Sequence, residues 1–364
     1  MFSDKLSIEK KNYNAIDAAK LIGAILIVTI HVEPFGFAAP GQTYIAALNF
    51  LVQHYLARIA VPFFFVTSGF LLYRKTSYKD FDTEYTVRYL KRILRLYLVW
   101  TIIYFPVILP GLLKNEKGLL YAVLKYIRDI VFVGSYAHLW YFPALIFAVA
   151  LTSFLLSKKV SPLTILLISA VLYFFGLFAQ SWYGFILPVK LLSPEIWIVL
   201  KQAEKIIVTT RDGLFDAFFF VSMGMYIAFS DIRIKPEKAA SLFGISMLAL
   251  LIETLILQRL GFAREHDMYL FLGPSVFFLF CFLIDVELTD SPIYKKMRSL
   301  STLIFCIHPW ILHALTIILD NIAGDNIINC NLFVLTLAST ILLSFFIIGS
   351  SEYSWFKWLK LLYT

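Results

Sequence analysis

Apolar runs of about 20 residues recur from one end of the chain to the other, separated by shorter polar stretches. They fall near residues 15–35, 45–73, 94–113, 139–157, 162–181, 213–230, 239–258, 268–285, 300–319 and 331–349. Each is long enough, at about 1.5 Å per residue, to cross a hydrocarbon core roughly 30 Å thick. Residues 119–134 form an eleventh apolar stretch, but Lys125, Arg128 and Asp129 interrupt it. It reads as an amphipathic or re-entrant helix within a loop. The pattern predicts an all-α, polytopic membrane helix bundle with about ten transmembrane helices, and an even count puts both termini on one side. The first run follows the polar stretch Met1 to Asn14 and has no small-residue cleavage site, so it reads as a signal anchor and first span. No tandem repeat, low-complexity tract or soluble segment stands out, and residues 1–364 read as a single integral-membrane domain.

Composition reinforces this. Of 364 residues 60% are hydrophobic and 15% charged, too few charges to wet the surface of a water-soluble globule. The 35 Phe and 20 Tyr suit a lipid-facing surface with interfacial aromatic belts. A net charge of +8 could suggest nucleic acid, but its distribution excludes that reading. With the N-terminus inside, the basic residues gather on inner segments: Lys5, Lys10 and Lys11, then Arg74 to Arg95, Lys158 and Lys159. The series continues with Arg233, Lys235 and Lys238, then Lys295, Lys296 and Arg298, and finally Lys357 and Lys360. The outer loops at 36–44 and 320–330 carry no Lys or Arg. This is the positive-inside pattern, with both termini cytoplasmic. Cys281, Cys306 and Cys330 lie in or beside apolar runs without metal-ligand spacing, so neither a metal nor a disulfide framework is implied.

Ionisable groups inside spans are costly and call for a reason. The first span carries Asp17, Lys20 and His31. Eleven residues advance a helix to within about 20° of three full turns, so Lys20 and His31 share a face, about 16 Å apart along the axis. Asp17 sits one turn from Lys20, while Glu33 points away as a rim residue. Lys20 is a phosphate contact or a snorkelling lysine, and His31 is a reactive or a satisfied interior histidine. The second span carries Arg58 towards its outer end, then Pro62 and Ser68-Gly69, which packing explains as well as function. Arg88, Lys91, Arg92 and Arg95 recur at i, i+3, i+4 and i+7, one basic face entering from inside. It serves either as a positive anchor or as a clamp for a phosphorylated ligand. Asp216, Glu253, Asp285, His308 and His313 complete the set, with Glu253 and His308 deep in their spans.

The order of these segments resembles the acyltransferase 3 family of membrane acyltransferases over nearly the whole chain. The resemblance rests on "IDAAK…IH" in the first span, "IAVPFFFVTSGFLL" in the second and "RILRLY" in the third. "HLWYFPALI" and "STLIFCIHPW" follow in the family's order. It implies transfer of an acyl group, usually acetyl from cytosolic acetyl-CoA, to a hydroxyl of a cell-envelope carbohydrate or similar acceptor, in a bacterial cell membrane. Its partners would be acyl-CoA, the acceptor and the bilayer, with no nucleic acid and no metal cofactor. The implied catalytic candidates are His31, with Asp17, Glu253 or His308 orienting it and Arg58 stabilising an oxyanion. Arg88, Lys91, Arg92, Arg95 and Lys20 would hold the nucleotide phosphates. The family's first-span cation is commonly Arg, ten residues before the histidine; Lys20 keeps the charge and loses the bidentate fork. His31 would act as general base or as transient acyl carrier. "TRDGLFDAFFFVSMG" and "GFAREHDMYLFLGP" resemble a narrower group that includes the membrane domains of vancomycin-resistance serine racemases. That likeness keeps a second function class open, a transporter of a small polar solute such as L-serine, beside a non-enzymatic sensor.

Overall fold

The computed structural model describes residues 12–35, 43–76, 78, 81–207, 209–230, 232, 234–323 and 329–364. Lys5, Lys10, Lys11, Lys79 and Arg233, and most of the outer loops at 36–44 and 320–330, lie outside the described residues. The protein is an all-α, multi-pass membrane helix bundle. Six long apolar helices, Asn14–Val32, Tyr44–Tyr73, Thr83–Leu113, Pro236–Leu260, Pro292–Leu319 and Asn331–Ser350, are each long enough to cross a bilayer. Tyr141–Ser157, Pro162–Leu177, Gly213–Phe229 and Leu272–Asp285 are shorter and equally apolar. Together they occupy the ten runs read from hydropathy. The eleventh stretch forms the amphipathic helix Leu119–Phe132, with Leu120, Leu124 and Phe132 exposed.

The principal helices are α1 Asn14–Val32, α2 Thr43–Phe50, α3 Ala60–Tyr73, α4 Thr83–Leu113, α5 Leu119–Phe132, α6 Tyr141–Ser157 and α7 Pro162–Leu177. Two four-residue helices, α8 Tyr183–Ile186 and α9 Val189–Leu192, and α10 Pro194–Ile207 follow α7. Then come α11 Phe218–Phe229, α12 Pro236–Leu260, α13 Leu272–Asp285, α14 Pro292–Ala323 and α15 Asn329–Ser350. Two helices are not regular throughout. A π-helical turn at Leu51–Leu56 and a 3-10 turn at Ala57–Ile59 join α2 to α3, and a second π turn, Gly213–Ala217, leads into α11.

Some boundaries differ from the hydropathy reading for local reasons. The third span starts at Thr83 rather than near 94, because the Asp82 carboxylate accepts the Tyr85 N–H and caps the helix ahead of its basic face. The first span stops at Val32 rather than 35. Glu33 precedes Pro34, which disfavours the right-handed helical region for it. It takes φ 51°, and its N–H closes the helix on the Thr29 carbonyl.

The chain divides into two compact units, each assembled from separated segments. One comprises Pro62–Leu94 and Ile108–Asp285; the other comprises Asn12–Val61, Arg95–Val107 and Val286–Thr364. In the first unit α11 packs on α6 and α7, and α12 on α13. Gly69 and Gly224 let α3 and α11 cross with backbones in contact. A Cβ on Gly69 would strike the Val221 carbonyl, and one on Gly224 the Val66 carbonyl. That close crossing gives the Ser68-Gly69 pair a packing role. In the second unit α14 packs on α1 and α15, and α1 also packs on the π and 3-10 turns that precede α3.

Candidate active site

The second unit brings two histidines together from opposite ends of the sequence. His31 and His308 face each other with ring centroids 5.2 Å apart and ring planes inclined at 41°. His31 lies one residue before the end of α1, half-buried; His308 is fully buried in α14. Pro309 follows His308 inside α14 and cannot donate a backbone N–H. Side-chain hydrogen bonds tie this part of α14 to its own backbone and to α4. His308 Nδ1 lies 2.8 Å from the Ile304 carbonyl, and the Tyr104 hydroxyl donates to the Cys306 carbonyl at 2.8 Å. Trp310 Nε1 donates back to the Ile103 carbonyl of α4 at 3.2 Å. A carbonyl only accepts, so the contact fixes the proton of a neutral His308 on Nδ1 and its lone pair on Nε2.

The other end of the same helix pair carries an ion pair. Arg298 donates from Nε and Nη2 to the two carboxylate oxygens of Asp17, at 2.9 and 2.5 Å. Asn14 Nδ2 donates to Asp290 at 2.8 Å and to the Leu288 carbonyl at 3.2 Å, fastening α1 to the segment that precedes α14. Helices α1 and α14 therefore run in the same direction, joined by Asp17 and Arg298 at one end and by the histidines at the other. Parallel first and ninth spans are what ten alternating crossings require. Asp17, Lys20, Ala24, Ile27 and His31 form one stripe of α1, and Lys20 is half-buried on it.

The remaining candidates divide between the units. Arg58 sits in the 3-10 turn against which α1 packs, its guanidinium folded back onto its own helix. Its Nε donates to the Gln53 carbonyl at 2.8 Å, and Nη2 approaches His54 Nδ1 at 3.3 Å. Gln53 and His54 escaped the sequence reading because a π turn breaks the helical spacing on which that reading relied; such turns gather at functional sites. Arg298 escaped it as well, counted only among the inner basic residues. Fourteen residues of α1 separate Asp17 from His31, about 21 Å of helix, and Arg298 occupies the Asp17 carboxylate. Glu253 belongs to the first unit, where it accepts from Trp182 Nε1 at 2.8 Å and from the Leu270 and Phe271 N–H groups at 2.8 and 3.0 Å. That arrangement binds α12 to the start of α13. Arg88, Lys91, Arg92 and Arg95 are all exposed on one face of α4. Arg88 pairs with Glu84 at 2.8 Å, and Arg92 lies over the Tyr89 ring at 5.2 Å. Among the described residues no group of three or more His, Cys, Asp or Glu is placed to hold a metal ion.

Comparison with known proteins places this geometry in context. A family described as an acyltransferase domain matches residues 13–349, through both units. An amino-acid racemase of Enterococcus faecalis is 33% identical over 278 residues, 76% of this chain and 36% of that protein. A serine/alanine racemase of Enterococcus gallinarum is 28% identical over 349 residues, 94% of this chain and 47% of that protein. The chain thus spans less than half the length of these relatives. No solved structure matches it.

Proposed function

The chain belongs to the family that carries this acyltransferase domain, and on that premise we propose that it transfers an acyl group, commonly acetyl, from cytosolic acyl-CoA to a hydroxyl of a cell-envelope carbohydrate or similar acceptor. The observation that carries the proposal is the contact between His31 and His308. His31 takes the proton of the acceptor hydroxyl as its oxygen attacks the thioester carbonyl. The C–S bond breaks, and the proton passes to the departing thiolate. His308, its Nδ1 held by the Ile304 carbonyl, orients the His31 ring and receives the proton in transit. The exposed basic face of α4 supplies charge for the nucleotide phosphates, Arg92 and Arg95 as planar forks. Arg58, on a turn packed against α1, stabilises the developing oxyanion. The site lies in a bacterial cell membrane, with the basic face towards the cytosol.

The experiment is acyl transfer from labelled acetyl-CoA by the protein in membranes. His31→Ala should lower transfer by about 10³-fold, within the range general bases contribute, while the protein still inserts and elutes as a single species. Full activity in that variant would end the proposal.

A second reading, movement of a small polar solute such as L-serine, is favoured by the relatives, which are named for amino acids. Proteoliposomes separate the two: serine accumulation without acetyl-CoA supports transport, and acetyl appearing on an acceptor supports transfer.

A further inference from the structure

Two segments outside the histidine site meet in the first unit. One runs from Thr209 into the π turn before α11, and the other from Ala263 to the start of α13. The Arg211 guanidinium donates to Asp267 at 2.8 Å and lies over the Trp140 ring at 4.9 Å. Thr210 donates to the Gly176 carbonyl at 3.0 Å, and the Tyr173 hydroxyl to the Tyr269 carbonyl at 2.7 Å. His266 Nδ1 lies 2.7 Å from the Tyr269 hydroxyl. The Asp212 carboxylate accepts the Leu214 and Phe215 N–H groups, both at 2.9 Å, and so caps the π turn.

Within this well-paired cluster lies Asp216, 3% exposed, whose Oδ1 has no hydrogen-bond partner among the described residues. The charged groups acting on it are Asp267, Asp212 and Arg211. The two carboxylates repel a negative charge on Asp216, and the Arg211 guanidinium is already engaged by Asp267. The Tyr173 hydroxyl, which also interacts with Asp216, donates its hydrogen bond to the Tyr269 carbonyl instead. A buried carboxylate oxygen without a donor costs free energy unless something brings one.

We infer that the first unit holds a binding site for a small primary ammonium compound, received at the Asp216 carboxylate. A primary ammonium supplies both things missing there, a positive charge and N–H donors, three of them in a compact head. A divalent cation is the poorer fit, because no three ligating side chains converge among the described residues. Nearby, Tyr173 packs on Phe219 and Phe220 with centroids 4.8 and 5.4 Å apart. Arg211, 34% exposed, marks where the cluster reaches the surface. The inference stands apart from the proposed acyl-transfer chemistry, whose histidines, His31 and His308, belong to the other unit.

The test uses the full chain in lipid nanodiscs with no acyl donor present, so that binding and transfer fail separately. Ethanolamine is titrated at constant ionic strength and compared with choline, which keeps the charge and hydroxyl but loses every N–H. Saturable ethanolamine binding, with choline at least tenfold weaker, is expected of the unmodified protein. Asp216→Asn should weaken ethanolamine at least tenfold. The unmodified protein discriminates between the probes without any variant having to fold, and Asp216→Glu tests whether the carboxylate suffices. Absence of saturable ethanolamine binding, equal binding of choline, or undiminished binding by Asp216→Asn would each overturn the inference.

Discussion

The two units treat costly polar side chains in opposite ways. In the first, Glu253 is buried and accepts three hydrogen bonds, from Trp182, Leu270 and Phe271. Its charge is consumed in joining α12 to α13. In the second, His308 is just as buried, but one ring nitrogen is fixed on Ile304 while its ring stands against His31. An expensive residue inside a membrane protein is therefore poor evidence of chemistry by its presence alone. What separates a staple from a reactive group is how its valences are used. Glu253 spends both oxygens on structure, whereas His308 has one ring nitrogen on the Ile304 carbonyl and presents its ring to a second histidine.

The sharpest way to break that distinction is at the histidines. His31→Ala carries the largest effect, the loss of about 10³-fold described above. His308→Asn should follow, with a fall in kcat of about 10- to 100-fold. Asn keeps a short donor for the Ile304 carbonyl but has no second ring nitrogen, so the fold should persist. The pH–rate profile separates a proton-handling role from a structural one: its shape should change in His308→Asn. A variant with normal kcat and an unchanged profile would reduce His308 to packing.

Glu253 offers the converse test. Glu253→Gln replaces an acceptor oxygen by an NH2 group, and one of the three donors then loses its partner. The expected cost is about 1–3 kcal/mol, read as a fall in the thermal midpoint of the protein in nanodiscs. The apparent affinity for acetyl-CoA should stay as it was. A large loss of transfer with no change in midpoint would make Glu253 a reactive group and erase the contrast between the units.

Much of this was legible in the sequence. Ten apolar runs become ten apolar helices, six of them long enough to cross a bilayer, because backbone polar groups in hydrocarbon must be satisfied within the segment. The stripe from Asp17 through Lys20 to His31 is legible for the same kind of reason, since 3.6-residue periodicity holds along a regular helix. The failures occur where regularity breaks or where contacts are not local. The apolar run starts the third span near 94 and the basic spacing carries the helix back only to Arg88, whereas Asp82 caps it ahead of Thr83. Gln53 and His54 lie in a π turn that no uniform spacing predicts. Arg298 looked like one more inner cation, yet its guanidinium meets Asp17 across 281 positions of chain. Nothing local encodes a pairing over that distance. The convergence of the segments around Arg211 and Asp267 is hidden likewise, although each lies in a stretch that carries the family resemblance.

The basic face of α4 gives a smaller effect, directed at binding. Replacing Arg92 and Arg95 together by Gln should raise KM for acetyl-CoA about tenfold or more, the loss of charge-assisted contacts worth about 1.5–3 kcal/mol. The kcat should hold at saturating donor, because these residues are proposed to meet the nucleotide and not the reacting carbon. An unchanged KM in the double variant would return the face to positive-inside anchoring, leaving the donor's phosphates to be held elsewhere.

Lys20→Arg is the mildest test. Lys20 is half-buried on the stripe that ends at His31 and stands one turn from Asp17, whose carboxylate Arg298 already occupies. A guanidinium there keeps the charge and adds a planar fork that matches phosphate oxygens. If Lys20 meets the donor, KM for acetyl-CoA should fall by about two- to threefold, a gain of a few tenths of a kcal/mol, with kcat unchanged. If Lys20 only snorkels to the membrane surface, neither constant should move, because either cation reaches the interface equally well. A rise in KM would mean that Arg competes with Arg298 for Asp17 and loosens α1 from α14. In that event kcat should drop with it, since the two helices that meet at Asp17 are the ones that hold His31 against His308.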